Sequence, residues 1–238
     1  MKIMTFANTV STREVAALYE RWVLPLNNAP YLNKHQTLPS PPEFDLSPEW
    51  VKWDFPRVAA ILEFKEWSAK YGGFANGRAL ISSGRGDAEM KYVKAAEVDY
   101  ADYDIKTEAN DLHTLNLPRK DYGFVMANQT LEHVYNPYLC VQNIYNHMKP
   151  GGYFYMNMPI LNIPHFIPFH FSTGMTPVGL LAMFHSLGFE ILEVGQWGNF
   201  EYIQKLFTMH YWPVHGQLTS RVSEFRNAVS VWTLVRKP

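Results

Sequence analysis

The chain has 238 residues, 47% apolar and 18% charged, which is enough for one sizeable core and too apolar to remain disordered. A formal net charge of −1 with no long Lys/Arg run argues against a nucleic-acid partner, which needs a basic footprint to displace counterions. The only cysteine, Cys140, rules out an intrachain disulfide and fits a reducing, cytoplasmic setting. No apolar run approaches the ~20 residues that cross a bilayer, and residues 1–10 are too weakly apolar for a secretory signal.

Ser11-Thr12-Arg13-Glu14 reads as a capping box opening a helix that Pro25 stops. From Asn27 to Ser47 the chain is rich in Pro and Asn and reads as irregular, with a short helix starting at Ser47-Pro48. Val58, Ile61, Leu62, Phe64 and Trp67 stand at helical spacing before Gly72-Gly73. After Gly77 the pattern changes. Strand candidates at Arg78–Ser83, Val98–Ile105, Phe124–Ala127, Tyr153–Met158, Glu190–Val194 and Ala228–Val235 alternate with helix candidates at Ala88–Ala96, Asn136–Met148 and from Thr176. Such alternation predicts an α/β fold with a doubly wound, mainly parallel sheet and helices on both faces. Residues 1–76 then form an N-terminal helical extension and residues 77–238 the main domain.

In an open sheet of this kind the ligand sits beyond the carboxyl ends of the strands. The first strand-to-helix turn, Ser82-Ser83-Gly84-Arg85-Gly86-Asp87, has two glycines that let backbone approach a ligand closely. An acid at the end of the second strand can accept hydrogen bonds from both hydroxyls of a ribose. Asp104, 18 positions after Gly86, fits that spacing, and Asp102 on the same strand face competes with it.

The stretch from Arg78 to Lys237 resembles class I S-adenosylmethionine-dependent methyltransferases. Asn128-Gln129-Thr130-Leu131-Glu132-His133-Val134-Tyr135-Asn136-Pro137 is similar to the family's LEHV…P segment, and Met148-Lys149-Pro150-Gly151-Gly152 to its LKPGG turn. Asn110–Leu115 resembles its adenine-side acidic segment, Leu187–Glu190 its GF turn and Val231–Lys237 its closing strand. These matches occur in the family's order. The resemblance implies a seven-stranded Rossmann-like sheet and S-adenosylmethionine as cofactor. It also implies cofactor contacts from Gly84, Gly86, Asp104, Asp111, Leu112 and Asn128. Three positions depart from the pattern: Ser82 where an acid is usual, Ala88 near the third glycine, and Gly123 where an acid precedes the fourth strand.

Methyl transfer to oxygen needs alignment of the reacting atoms and removal of the hydroxyl proton. His133, in the LEHV segment, and His170, in the loop after the fifth strand, are the candidate proton acceptors. The N-terminal third and the loop Pro159–Gly174 are expected to wall a pocket for a small-molecule or glycan acceptor, to which Phe200–Trp212 either adds or is simply core. His165 and His170 flank Pro168 and share no helix face, so no metal site is expected. Two alternatives stay open: a non-catalytic binding protein that keeps the fold, and a nicotinamide-dependent oxidoreductase, against which the incomplete GxGxxG counts.

Overall fold

The computed structural model describes residues 10–27, 54–101, 103 and 109–238. Six strands form one sheet in the order β2-β1-β3-β4-β6-β5. They are β1 (Arg78–Ile81), β2 (Glu97–Tyr100), β3 (Tyr122–Asn128), β4 (Met148–Pro159), β5 (Glu190–Trp197) and β6 (Ser230–Arg236). β2, β1, β3 and β4 run parallel, and β6 is inserted antiparallel between β4 and β5. The sheet is therefore Rossmann-like and mixed, with six strands among the described residues where seven were expected.

The helices are α1 (Thr12–Leu18), α2 (Phe55–Lys70), α3 (Pro137–His147), α4 (Pro177–Ser186) and α5 (Phe200–Met209). The capping box of α1 forms as read: the Ser11 hydroxyl accepts from the Glu14 amide while the Glu14 carboxylate accepts from the Ser11 amide. Asn136 and Thr176 cap α3 and α4, each followed by Pro, whose missing N–H costs nothing in a first turn.

Along β3, Val125 and Ala127 face a core built with Leu18, Val141, Ile144, Leu180 and Phe184. Phe124 and Met126 face a second core with Phe55, Ile61, Phe64, Tyr202 and Leu206. From Phe124 to Ala127 the period-two alternation thus buries both faces of β3, which is why the strand reads as a continuous apolar run. Helix α2 is part of the second core, against β5 and β6.

Several predicted elements change. The helix expected over Ala88–Ala96 is a short 3₁₀ turn, Ala88–Tyr92. The amides of Lys94 and Ala96 bond the carbonyls of Gly73 and Gly77 instead of continuing a helix, and Glu89 turns inward to Arg57. β2 ends at Tyr100 rather than Ile105. The stretch Phe200–Trp212 holds a helix, capped by Asn199, with Tyr202 and Leu206 in the core. The short helix at Ser47-Pro48 lies outside the described residues. Gly123 has a steric reason: a Cβ there would stand 1.7 Å from the carbonyl oxygen of Asn76, so no acid fits.

Candidate functional site

Because β1, β2 and β3 are parallel and adjacent, the loops at their carboxyl ends emerge on one edge of the sheet. A cavity of about 480 Å³ opens there, within the usual range for pockets that take small organic ligands. Ser82 and Ser83 form one wall, Asp111, Leu112 and His113 another, and Phe166, Phe169 and Phe171 a third. Ala101, Tyr103, Gln129, Thr130, His133 and Tyr135 also line it.

Ser82 and Ser83, not the two glycines, meet the cavity. A Cβ on Gly84 or Gly86 would find no neighbour within 4 Å, but Gly84 has φ +140°, a conformation that favours glycine. Asp87 organises this loop. Its Oδ2 accepts the Ser83 hydroxyl at 2.5 Å and the Asn128 Nδ2–H at 3.2 Å, and its Oδ1 accepts from Arg57 at 3.2 Å. Asn128 is nearly buried and does not line the cavity; it reaches it through Asp87 and Ser83. Arg57 also pairs with the fully buried Glu89, which locks α2 to the turn after the glycine loop.

Asp111 and Leu112, two of the cofactor contacts expected from the resemblance, line the cavity wall. The Asp111 carboxylate accepts from the His113 amide at 2.9 Å and contacts the His113 ring at 2.6 Å. Tyr135 stacks on that ring at 3.8 Å, 10° from parallel. Asp104 and its competitor Asp102 lie outside the described residues. Asp99, near the end of β2, is held by Arg78 and by the Tyr122 hydroxyl.

His133 lines the cavity, and its ring contacts His170 at 5.7 Å and His165 at 4.7 Å. Burial, eased by the Phe169 carbonyl and reinforced by His165, lowers the pKa of His133. Burial followed by the neighbouring imidazoles lowers that of His170. Beside them, Glu132 is buried with neither carboxylate oxygen hydrogen-bonded among the described residues, and burial raises its pKa to about 7. Its backbone carbonyl accepts from Phe171 and Ser172, tying the loop after β4 to the LEHV turn.

That loop contributes Phe166, Phe169 and Phe171 to the cavity. None of the described residues before Gly77 lines it, nor does any in Phe200–Trp212. Neither Asp87 nor Glu132 stands out in the sequence, because the first matters through Arg57, Ser83 and Asn128 and the second through its burial. The shared site of His165 with His133 and His170 is likewise set by the loop's path.

A family model for a methyltransferase domain matches residues 84–156. No curated relative matches the chain. Among solved structures, a Listeria monocytogenes protein assigned as an S-adenosylmethionine-dependent methyltransferase has a TM-score of 0.48 and 13% identity, covering 74% of this chain and 99% of that one. A Bacillus halodurans protein assigned as a methyltransferase gives 0.47 and 16%, covering 75% and 98%. A Haemonchus contortus phosphoethanolamine N-methyltransferase in complex with S-adenosylhomocysteine gives 0.47 and 13%, covering 87% and 60%. With TM-scores below 0.5, these likenesses are loose. The match to the methyltransferase-domain model, from Gly84 to Met156, falls within the stretch that resembles class I S-adenosylmethionine-dependent methyltransferases in sequence.

Proposed function

We propose that the chain is an S-adenosylmethionine-dependent methyltransferase that methylates a hydroxyl of a small molecule or glycan. The observation carrying this reading is the cavity at the strand tips, bounded by Ser82-Ser83 on one side and Asp111-Leu112 on the other. Its size suits an adenosyl ligand together with part of an acceptor. The Asn128 Oδ1, buried beside the Ser83–Asp87 pair without a partner among the described residues, leaves acceptor capacity next to the loop.

The bound cofactor would supply a methyl group on a sulfonium that departs as a neutral thioether. The chain's own residues would then hold and align. Asp111 and the Leu112 backbone grip the adenine end, Asp104 or Asp102 the ribose, and the turn Ser82–Gly86 the amino-acid end. Phe166, Phe169 and Phe171 exclude water from the acceptor side. His133 or His170, both held neutral by burial, takes the hydroxyl proton. In this reading residues 77–238 form the catalytic domain, residues 1–76 an extension whose α2 braces the glycine loop, and the setting is cytoplasmic. Among the described residues no helix is long and apolar enough to cross a membrane.

Calorimetry tests the reading. Adenosylhomocysteine should bind with micromolar affinity and NAD should not. NAD binding would favour an oxidoreductase, and binding of neither a non-catalytic relative of the fold.

A further inference from the structure

Three imidazoles from two separate segments converge beside the cavity. His133 comes from the LEHV turn, and His165 and His170 from the loop after β4. Each offers a ring nitrogen, and the three nitrogens lie within 4.8 Å of one another. A shared helix face does not bring them together. The loop does so by turning back between Phe166 and Phe169, where the Phe169 amide bonds the Phe166 carbonyl at 2.9 Å.

The hydrogen bonds around the cluster fix which nitrogens are free. Nδ1 of His133 lies 2.8 Å from the Phe169 carbonyl oxygen, and Nδ1 of His165 lies 3.0 Å from that of Ile163. A carbonyl only accepts, so Nδ1 carries the proton in both rings and Nε2 keeps its lone pair. This is the outer hydrogen bond that orients metal-bound histidines. His170 is the third member: both of its ring nitrogens are buried without a partner among the described residues. An unpaired buried polar group is costly unless something else binds it. The fourth group is Glu132, whose Oε1 lies 3.9 Å from Nε2 of His133 and whose carboxyl group is fully buried. A carboxylate in that position is one that a cation would compensate.

We infer that His133, His165 and His170 form a site for one divalent late transition metal ion of the Zn²⁺ type. Three neutral imidazoles select such an ion over Mg²⁺ or Ca²⁺, which prefer oxygen ligands. Tetrahedral Zn–N bonds of ~2.0–2.1 Å put ligand nitrogens about 3.4 Å apart, so the rings draw in by roughly 1 Å. Trp212, edge-on to His165 at 5.2 Å, backs the cluster. Three protein ligands leave one coordination position for an oxygen. On the methyl-transfer reading, that oxygen would be the acceptor hydroxyl, made acidic enough by the ion to lose its proton to solvent water, and His133 and His170 would serve as ligands in place of the proton-acceptor role given to one of them above. The site itself does not depend on that reading.

The test uses the full chain, stripped with a chelator and titrated with Co²⁺ while its absorption is followed. One equivalent should bind with the intense bands of four-coordinate cobalt, and Zn²⁺ should displace it. His165→Ala and His170→Ala should each weaken binding about tenfold or more, while His210→Ala, at an exposed position, should not. If either alanine variant fails to fold, His165→Gln and His170→Gln replace it, with folding checked by metal-free thermal melts. Absence of stoichiometric binding, or wild-type affinity in folded variants, overturns the site. Adenosylhomocysteine calorimetry on the same samples separates the two proposals: cobalt binding without it would count against the cofactor and leave the metal site standing.

Discussion

Asn128, the last residue of β3, donates its Nδ2–H to the carboxylate of Asp87, 41 positions earlier and 3.2 Å away. That carboxylate also takes the Ser83 hydroxyl and the Arg57 guanidinium, so one side chain joins the end of β3, the glycine loop and α2. Asp87→Ala should therefore act on both stability and ligand binding. The expected destabilisation is about 1–3 kcal/mol, the usual cost of orphaning such partners, accompanied by weaker adenosylhomocysteine binding. Urea denaturation and calorimetry measure the two effects. A loss of stability with unchanged affinity would mean that the loop does not touch the cofactor.

Asp111 sits in the cavity wall with its carboxylate bonded to His113, whose ring lies under Tyr135. Asp111→Ala should lower adenosylhomocysteine affinity by about 1–3 kcal/mol. The ribose role is tested in the same assay. Asp104→Ala should produce a loss of that same order, and an unchanged affinity would transfer the role to Asp102 or remove it.

At Gly195 the Glu63 side chain of α2 reaches the sheet and bonds Trp232 of β6. A Cβ there would fall 2.1 Å from Glu63 Oε2 and 2.2 Å from Trp232 Nε1, across the 2.7 Å bond these two atoms make. Gly195→Ala should cost at least about 1–3 kcal/mol, the overpacking range, because neither partner can retreat from a full core. Trp232→Phe, which removes one partner of that bond, should cost about 1–3 kcal/mol. Thermal melts give both values, and a neutral Gly195→Ala would show that α2 can shift.

Glu201 links α5 to the segment that follows it. Its carboxylate accepts from Lys205 and from the amides of Thr219 and Ser220. Partial burial raises its pKa, but these donors outweigh that effect and pull it down to about 2. A folded-state value below the ordinary one of 4.5 means that the stabilisation is complete above about pH 4.5 and fades as pH falls toward 2. Glu201→Gln should be less stable at neutral pH, and the gap to wild type should narrow under acid. Chemical denaturation at pH 7 and pH 3 measures it.

The sequence by itself determined the layered α/β architecture, since alternation of short apolar strands with helical periodicity leaves few ways to bury both. It also placed the capping box at Ser11 and the Pro-opened helices α3 and α4, because each rests on neighbours within a few positions. The path after the glycine loop was decided only by the tertiary structure. Helical propensity in Ala88–Ala96 gives way to the buried pairing of Glu89 with Arg57 and to amides bonded to Gly73 and Gly77. The same holds for Gly123, whose lack of a side chain is set by Asn76 pressing on it, and for the three histidines, which meet only because a loop folds back onto the LEHV turn. Local signals specify an element, whereas these contacts depend on groups far apart in the chain that packing alone brings together.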